Sequence, residues 1–300
     1  MPDIRMVVLG DSVTWGQGLE TPEKFYSLVK VALTGSDCTQ SCTLLAHSGA
    51  TIGAGVTTTH DPIDGEVPTS YPTILQQCAA FTDSPETVDL IILNGGINDV
   101  DFRTIVNPFT DSADLADMIK QYCFVDMKTL LESVVSKFTK PAAKIVVTGY
   151  FPMLSDQSHP PLIDLFLAMI GVSLPPFVNI LDGLVLNKII SHCSLFYDES
   201  NRLFQKAIRQ VNRSPEGANR VLFAQPPFTS ANAALAPDAW LWGVNLDLSP
   251  QDPVKDARHA ACDLFETDSI QRETCYRASV GHPNVTGAGK YAEAILAVIQ

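Results

Sequence analysis

The sequence is short of positive charge. It has 20 Lys and Arg against 33 Asp and Glu in 300 residues, which gives a formal net charge of −13. Proteins that bind nucleic acid use a basic surface to neutralise phosphates, and anionic lipid headgroups attract basic segments in the same way. The charge balance therefore argues against nucleic-acid binding and against docking on an anionic membrane by charge alone.

The sequence also lacks the short motifs of several cofactor-dependent classes. It has no Cys-x-x-Cys pair and no His-Glu-x-x-His, so a zinc site has little support. It has no Gly-x-Gly-x-x-Gly fingerprint and no P-loop, which argues against nucleotide binding by those routes. The Gly-x-Ser-x-Gly turn of the α/β-hydrolases is missing as well.

No segment is apolar over the roughly 20 residues that a membrane helix needs. The apolar, uncharged stretch Leu165–Leu181 is interrupted by Pro175 and Pro176, so we interpret it as buried or as covering a pocket. The N-terminus shows no basic segment followed by a long apolar core, as a signal peptide would. These features predict a cytoplasmic protein without an integral membrane segment, with secretion as the alternative if the N-terminus has been trimmed.

The seven cysteines leave two interpretations open. An odd number of cysteines without a signal peptide fits a reducing compartment and buried thiols. The short spacings Cys38–Cys42 and Cys262–Cys275 are also compatible with local disulfides in a secreted protein.

Short apolar segments alternate with amphipathic ones along the chain, which predicts an α/β sheet with right-handed crossovers. The apolar segments predict strands buried on both faces, at Arg5–Leu9, Cys42–His47, Val88–Leu93, Lys144–Thr148 and Arg220–Ala224. The amphipathic patterns predict helices at about Pro22–Leu33, Ser112–Phe138, Ser200–Val211 and Thr286–Ile299.

Two segments do not fit this alternation. Ser48–Thr73 is rich in Gly, Thr and Pro and predicts a surface loop. Pro152–Ile190 is apolar, is broken by prolines and follows the fourth predicted strand. Because loops at the carboxyl ends of parallel strands form the usual ligand crevice, this second segment is a candidate pocket wall or lid. An extra pair of packed helices is the alternative.

Polar residues and glycines follow the first three predicted strands. They are Gly10-Asp11-Ser12, then His47-Ser48-Gly49, then Asn94 to Asp99, and Gly281-His282-Pro283 precedes the last helix. Each segment alone is typical of a helix cap or a turn. Together they should meet at one edge of one sheet. A serine hydroxyl, an imidazole and neutral N–H donors at that edge are suited to acyl transfer.

Taken in order, these segments resemble the four sequence blocks of the SGNH (GDSL) hydrolases, with Ser12, Gly49, Asn98 and His282 at the defining positions. The resemblance implies one domain over residues 1–300, a three-layer α/β/α sandwich similar to flavodoxin with a five-stranded parallel sheet. We expect a helical insertion in it at about 152–190. The resemblance also implies ester or thioester hydrolysis without a metal or an organic cofactor. Ser12 would be the nucleophile and His282 the base, and the Ser12 N–H, the Gly49 N–H and the Asn98 side chain would form the oxyanion hole.

One position departs from the family pattern. The family usually has Asp three residues before the histidine, where this sequence has Ser279. Some members use a backbone carbonyl instead, in a subgroup that includes secreted lipases and phospholipases. We therefore expect the carbonyl of Ser279, or one beside it, to orient His282. The competing possibility is a distant acid, namely Asp247, Asp252 or Asp256. We expect Asp11 and Asp99 to be structural, through hydrogen bonds to backbone N–H groups.

These observations predict a carboxylic ester hydrolase that acts through an acyl-enzyme. The candidate pocket residues favour a lipid or another long acyl ester as the small-molecule substrate. The alternatives are a carbohydrate acetyl esterase or a thioesterase of the same family, and a non-catalytic binding protein on the same scaffold. The candidate pocket residues are Trp15, Phe151, Trp240 and Trp242, together with the stretch Leu162–Leu186.

Overall fold

The architecture is an open, doubly wound α/β sheet. The computed structural model describes residues 4–35, 41–53, 72–169, 172, 183–245, 249–266 and 268–300. Five strands run parallel in the order β2-β1-β3-β4-β5, which confirms the predicted five-stranded parallel sheet. The strands are β1 (Met6–Leu9), β2 (Cys42–Leu44), β3 (Leu90–Leu93), β4 (Lys144–Thr148) and β5 (Val221–Ala224).

Strands β1 and β3 lie side by side and are buried along their whole length. Val7 of β1 is in register with Ile91 of β3. Parallel strands covered on both faces are apolar at every position, which is why these segments read as continuous apolar runs. Strand β2 ends at Leu44 and not at His47, because the next two N–H groups both donate to the carbonyl of Val8 and the chain leaves the ladder.

Helices cover both sides of the sheet. On one side α2 packs against α12, and α12 also contacts β4 and β5. On the other side α3 packs on α7, and both α6 and α7 pack on α9. The helices are α1 (Ser12–Trp15), α2 (Phe25–Thr34), α3 (Ile74–Ala80), α4 (Ile97–Val100), α5 (Phe102–Ile105), α6 (Ser112–Lys120), α7 (Met127–Lys137), α8 (Pro160–Met169), α9 (Gly183–Val211), α10 (Lys255–Phe265), α11 (Ser269–Tyr276) and α12 (Val285–Ile299).

Two predicted helices differ from the observed ones. The segment expected at Ser200–Val211 is only the last part of α9, which begins at Gly183, because the buried apolar stripe continues back through Phe196 to Ile189. The segment expected at Ser112–Phe138 is helical almost throughout, but one turn, Gln121–Asp126, is a π-helix between α6 and α7.

The apolar segment after β4 contains α8 and the first turns of α9, so the boundary expected at residue 190 falls inside a helix. Residues 170–171 and 173–182 of this segment lie outside the described residues. In α8, Ile163 and Leu167 are buried, as packed helices require. Most of the loop predicted at Ser48–Thr73, residues 54–71, also lies outside the described residues.

The described cysteines are of two kinds, disulfide-bonded and free. Cys262 and Cys275 form a disulfide that joins α10 to α11. Cys42 is also disulfide-bonded. Cys38 lies outside the described residues. Cys78, Cys123 and Cys193 are buried free thiols, and burial raises the pKa of each of them.

None of the helices in the part of the chain that the structure describes is both long enough and apolar enough to cross a membrane.

Candidate active site

Ser12 lies in a sharp strand-to-helix turn. It begins α1 directly after the turn that ends β1. Asp11 caps this helix, and its carboxylate accepts the Val13 N–H at 2.9 Å. Gly10 has φ of +135°, and a Cβ at this position would lie 2.5 Å from Asn94 Oδ1. Glycine is therefore required here on two counts, and the resulting turn presents Ser12 at the carboxyl edge of the sheet.

His282 lies against Ser12. Its Nε2 is 2.8 Å from Ser12 Oγ, although 270 residues separate the two in sequence. The loop that carries His282 is attached to a neighbouring segment by two backbone hydrogen bonds. The Trp242 N–H donates to the His282 carbonyl at 2.8 Å, and the Gly281 N–H donates to the Trp242 carbonyl at 2.9 Å. A serine within hydrogen-bond distance of an imidazole is the arrangement that nucleophile activation requires.

The other ring nitrogen of His282 has a different environment. Nδ1 is buried and makes no hydrogen bond of good geometry to any described residue. Burial lowers the pKa of His282 from 6.5 to about 4, and the nearby carbonyls of Ser279 and Val280 raise it only in part. The Ser279 carbonyl accepts the backbone N–H of His282 at 2.9 Å. The expected carbonyl partner therefore lies beside the imidazole, and its bond to Nδ1 stays a prediction.

The residues of three predicted neutral donors line the same cavity as this pair. Gly49 has φ of +79°, in the left-handed region that glycine favours, and it lines the same cavity as Ser12, Asn98 and His282. Among the described residues, no hydrogen bond uses the N–H of Ser12 or of Gly49. The Asn98 amide donates one N–H to the Ala50 carbonyl at 2.9 Å, and an amide carries a second N–H that can point elsewhere.

A buried tyrosine connects the first and third segments of the site. Tyr150, just after β4, donates its hydroxyl to Asp11 Oδ2 at 2.7 Å and accepts the Ile97 N–H at 3.1 Å. Burial raises the pKa of Asp11 above its ordinary value, and the hydrogen bond from Tyr150 offsets part of that rise. The sequence pattern did not single out Tyr150, although its place two residues after a predicted strand marks it as a candidate for the site.

Asp99 connects the second and third segments. Its carboxylate accepts the Ile52 N–H at 3.0 Å. Burial raises the pKa of Asp99 to about 7, and the bond to Ile52 opposes that rise. The contacts of Asp11 and Asp99 are thus hydrogen bonds to backbone N–H groups and to a tyrosine, in agreement with a structural role.

The distant acids have three different positions. Asp252 is fully buried in a bidentate pair with Arg258 and accepts the Ser279 hydroxyl at 2.5 Å, but it does not touch His282. Asp256 lies in the first turn of α10, and none of its hydrogen bonds goes to His282 in the described structure. Asp247 lies outside the described residues. No sequence signal pointed to Arg258.

Ser12 and His282 lie at the wall of a cavity of about 710 Å³. One part of the lining is apolar, and a second part is charged and polar. The apolar part consists of Val13, Ile97, Phe102, Phe151, Met153, Phe166 and Val280. The charged part includes Asp101, Arg103, Glu266 and Arg277.

Phe151 lines this cavity, and none of the three predicted tryptophans is among the described residues that line it. Trp15 lines a separate cavity of about 420 Å³, where Lys24 Nζ lies 3.7 Å from its ring centroid. Trp240 packs edge-on against Phe228. Trp242 packs against Gly18 and supports the His282 loop through its backbone. The rings of Trp240 and Trp242 thus pack against other parts of the fold, where their large apolar surface contributes to packing.

Comparison with known proteins agrees with the fold. No family model matches the chain, and no curated protein matches it in sequence. Among solved structures, it is similar to phospholipase A1 from Streptomyces albidoflavus NA297, with a TM-score of 0.52, 15% identity and 99% of each chain covered. It is also similar to an extracellular lipase from Streptomyces rimosus, with a TM-score of 0.51, 17% identity and coverage of 98% of this chain and 99% of that one.

Proposed function

We propose that this chain, which has the fold of the SGNH hydrolases, is a serine ester hydrolase that acts on carboxylic esters. The observation that carries the proposal is the 2.8 Å contact between Ser12 Oγ and His282 Nε2 at the wall of a large cavity. Both neighbours of similar fold, a lipase and a phospholipase A1, carry names of ester hydrolases.

The geometry supports the following reaction. His282 Nε2 takes the hydroxyl proton of Ser12 while Oγ attacks the acyl carbon of the ester. The tetrahedral oxyanion that forms receives hydrogen bonds from the N–H groups of Ser12 and Gly49 and from the second N–H of the Asn98 amide. His282 then gives its proton to the departing alcohol, and an acyl-enzyme remains. A water molecule, deprotonated by His282, then attacks the acyl carbon. The bond to Ser12 Oγ breaks as the acid leaves, and His282 returns the proton to Oγ.

The lining of the cavity favours esters with an extended acyl chain. Its aromatic and aliphatic residues provide an apolar surface that a long acyl chain can bury, and an acetyl group can bury little of it. The alternative of a carbohydrate acetyl esterase depended on Trp240 and Trp242 as platforms for a sugar. Neither tryptophan lines the cavity, so we propose the long acyl ester as the preferred substrate.

A fluorophosphonate probe tests this function, because it reacts with an activated serine and mimics the tetrahedral intermediate. We expect one label, which peptide mass mapping places on Ser12. Ser12→Ala should lose both the label and the hydrolysis of p-nitrophenyl esters, with a melting temperature close to that of the wild type. Ser48→Ala is the matched control, since Ser48 lines the same cavity and should be dispensable for labelling. A label on Ser48, or full turnover by Ser12→Ala, would contradict the assignment, and a chain that neither labels nor hydrolyses would be a binding protein.

A further inference from the structure

An ion pair is buried directly behind the His282 loop. Asp252 and Arg258 have fully buried side chains and form two parallel hydrogen bonds, of 3.0 and 2.6 Å. A buried ion pair is weak evidence for stability, because the desolvation of both ions offsets most of their attraction. A pair in this position therefore calls for another explanation.

The pair is connected to the candidate base through one residue. The Ser279 hydroxyl donates to Asp252 Oδ2 at 2.5 Å, and the Ser279 carbonyl accepts the His282 N–H at 2.9 Å. Arg258 Nε donates to the Tyr276 carbonyl at 3.0 Å, so the other end of the pair holds the chain just before Ser279. The backbone from Tyr276 to His282 is thus tied to the ion pair at two points.

We propose that Asp252 is a positioning residue for His282, acting through Ser279, and that Arg258 balances the charge that Asp252 brings into the interior. The inference rests on the proposed function, because it takes His282 as the base. Asp252 does not replace the missing acid of a triad, since it makes no contact with the imidazole. It holds the backbone that carries the base and contributes a nearby negative charge.

The two members of the pair act on the imidazole with opposite sign. The positive charge of Arg258 disfavours protonation of His282, and the negative charge of Asp252 favours it, with Arg258 the stronger of the two. Both act through a buried environment in which charges interact more strongly than in water. Among the described residues, the other charged groups that line the cavity with His282 are Asp101, Arg103, Glu266 and Arg277, and Asp11 lies next to Ser12.

This opposition gives a signature that a purely structural role would not produce. In the pH profile of kcat/KM, the acid limb is the loss of activity at low pH that accompanies protonation of His282. Arg258→Met should move this acid limb to higher pH, and Asp252→Asn should move it to lower pH. We expect each shift to be about half a pH unit or more, because a buried charge within several Å moves a neighbouring pKa on that scale. Ser279→Ala keeps both charges and removes only the hydroxyl link, so it should lower kcat about 3- to 10-fold with the acid limb in place.

The titration of His282 itself provides a readout that does not depend on activity. The protein has six histidines, and the NMR signal that disappears in His282→Gln identifies the right one. Its midpoint should rise in Arg258→Met and fall in Asp252→Asn. The matched control is Asp89→Asn, which also removes a carboxylate paired with a cation, here Lys140, but at the opposite edge of the sheet. The control should leave the midpoint and the acid limb unchanged.

Removal of one member of a buried pair can prevent folding, so the charges are also removed together. The double variant Asp252→Asn/Arg258→Met differs from Arg258→Met only by loss of the Asp252 carboxylate. Its acid limb should therefore lie at lower pH than that of Arg258→Met. The inference is overturned if both single variants shift in the same direction or neither shifts. A loss of about 10³ or more in kcat for folded Asp252→Asn would overturn it too, since that size indicates a true triad acid. If no ester is hydrolysed, the proposed function fails. The order of the His282 titration midpoints in the NMR experiment still decides the inference.

Discussion

The residues that surround Ser12 Oγ are neutral donors and a neutral base. Asn98 and the N–H groups of Ser12 and Gly49 carry dipoles and no charge, so in the proposed reaction they would stabilise an oxyanion as it develops without binding anions in the ground state. His282 is kept neutral by burial, which lowers its pKa to about 4. The chemistry at this scale therefore depends on the orientation of dipoles and not on charges within the cavity wall.

The Asn98 amide should contribute mainly to the transition state. Asn98→Ala should lower kcat about 10²- to 10³-fold with little change in KM, because the bond to the oxyanion forms as the negative charge develops. The measurement is steady-state kinetics on one p-nitrophenyl ester.

Asn212→Ala is the matched control for that variant. Asn212 also bonds the backbone through its amide, at the start of β5 and so at the opposite edge of the sheet. It should leave kcat unchanged. A defect in KM alone for Asn98→Ala would mean that this amide binds the ground-state substrate.

Asp99 should make the stability of the fold depend on pH. Its pKa is about 7 in the folded protein and 3.8 in the unfolded chain. Between these values the folded state holds a proton that the unfolded state has lost, so stability falls as pH rises from about 4 to about 7. Asp99→Asn keeps an acceptor for the Ile52 N–H and removes the buried charge. It should raise the free energy of unfolding by roughly 2 kcal/mol more at pH 8 than at pH 5, because most of the pH interval between the two pKa values lies above pH 5.

Urea denaturation at both pH values measures this difference. Asp117→Asn on α6 is the control, because Asp117 is exposed and its loss should have the same small effect at both pH values. Equal stabilisation by Asp99→Asn at the two pH values would show that its carboxyl group is not the source of the pH dependence.

At the scale of elements, α8 forms part of the apolar wall. Phe166 is buried and lines the cavity, and its ring approaches within 3.4 Å of the position of a Cβ on Gly281, next to His282. One turn earlier on the same helix, Leu162 is 40% exposed and does not line the cavity. Two apolar residues of one helix therefore have different expected roles.

Phe166→Ala should shift the substrate preference of the enzyme toward esters with shorter acyl chains. It removes apolar surface that a long acyl chain would bury, so kcat/KM on a long acyl ester should fall about 10-fold or more. The same ratio on the acetyl ester should change much less. The assay compares p-nitrophenyl esters of increasing chain length.

Leu162→Ala is the control for that variant. It tests whether the change in chain-length preference requires a residue that lines the cavity or follows from any loss of apolar packing in α8. We expect it to leave both activities close to those of the wild type. Equal losses on long and short esters for Phe166→Ala would instead indicate that α8 is a packing element without a role in substrate selection.

At the scale of the whole molecule, the parallel sheet assembles the site. The carboxyl ends of β1, β2 and β3 lie at one edge, so the segments with Ser12, Gly49 and Asn98 converge there. The loop before α12 brings His282 to the same edge. Enclosure by these segments is what buries the imidazole and lowers its pKa.

The activity should therefore persist well into the acid range. His282 must be neutral to act as a base, and with its pKa lowered to about 4, kcat/KM should stay on a plateau from neutral pH down to about pH 5 and fall below about pH 4. The measurement is kcat/KM over this range, with return of each sample to neutral pH as the control for irreversible loss. An acid limb near 6.5 would mean that the imidazole is solvated in the resting enzyme.

The sequence by itself determined the strands and the four polar segments. Continuous apolar runs such as Val88–Leu93 form buried parallel strands wherever they are covered on both sides, and this local rule is sufficient to predict the sheet. The glycine in Gly10-Asp11-Ser12 is likewise a local requirement, because the turn needs a positive φ and has no room for a Cβ. Such features are encoded within a few residues and can be predicted without the fold.

Only the tertiary structure decided what supports the base and what lines the cavity. The bond from Tyr150 to Asp11 spans 139 residues, and the bond from Ser279 to Asp252 spans 27. Trp240 and Trp242 turn away from the cavity, and Phe166 turns toward it, although all three are aromatic residues in loops or helices near the site. The direction of a side chain and the partner of a buried charge depend on which distant segments pack together, and no local pattern in the sequence carries that information.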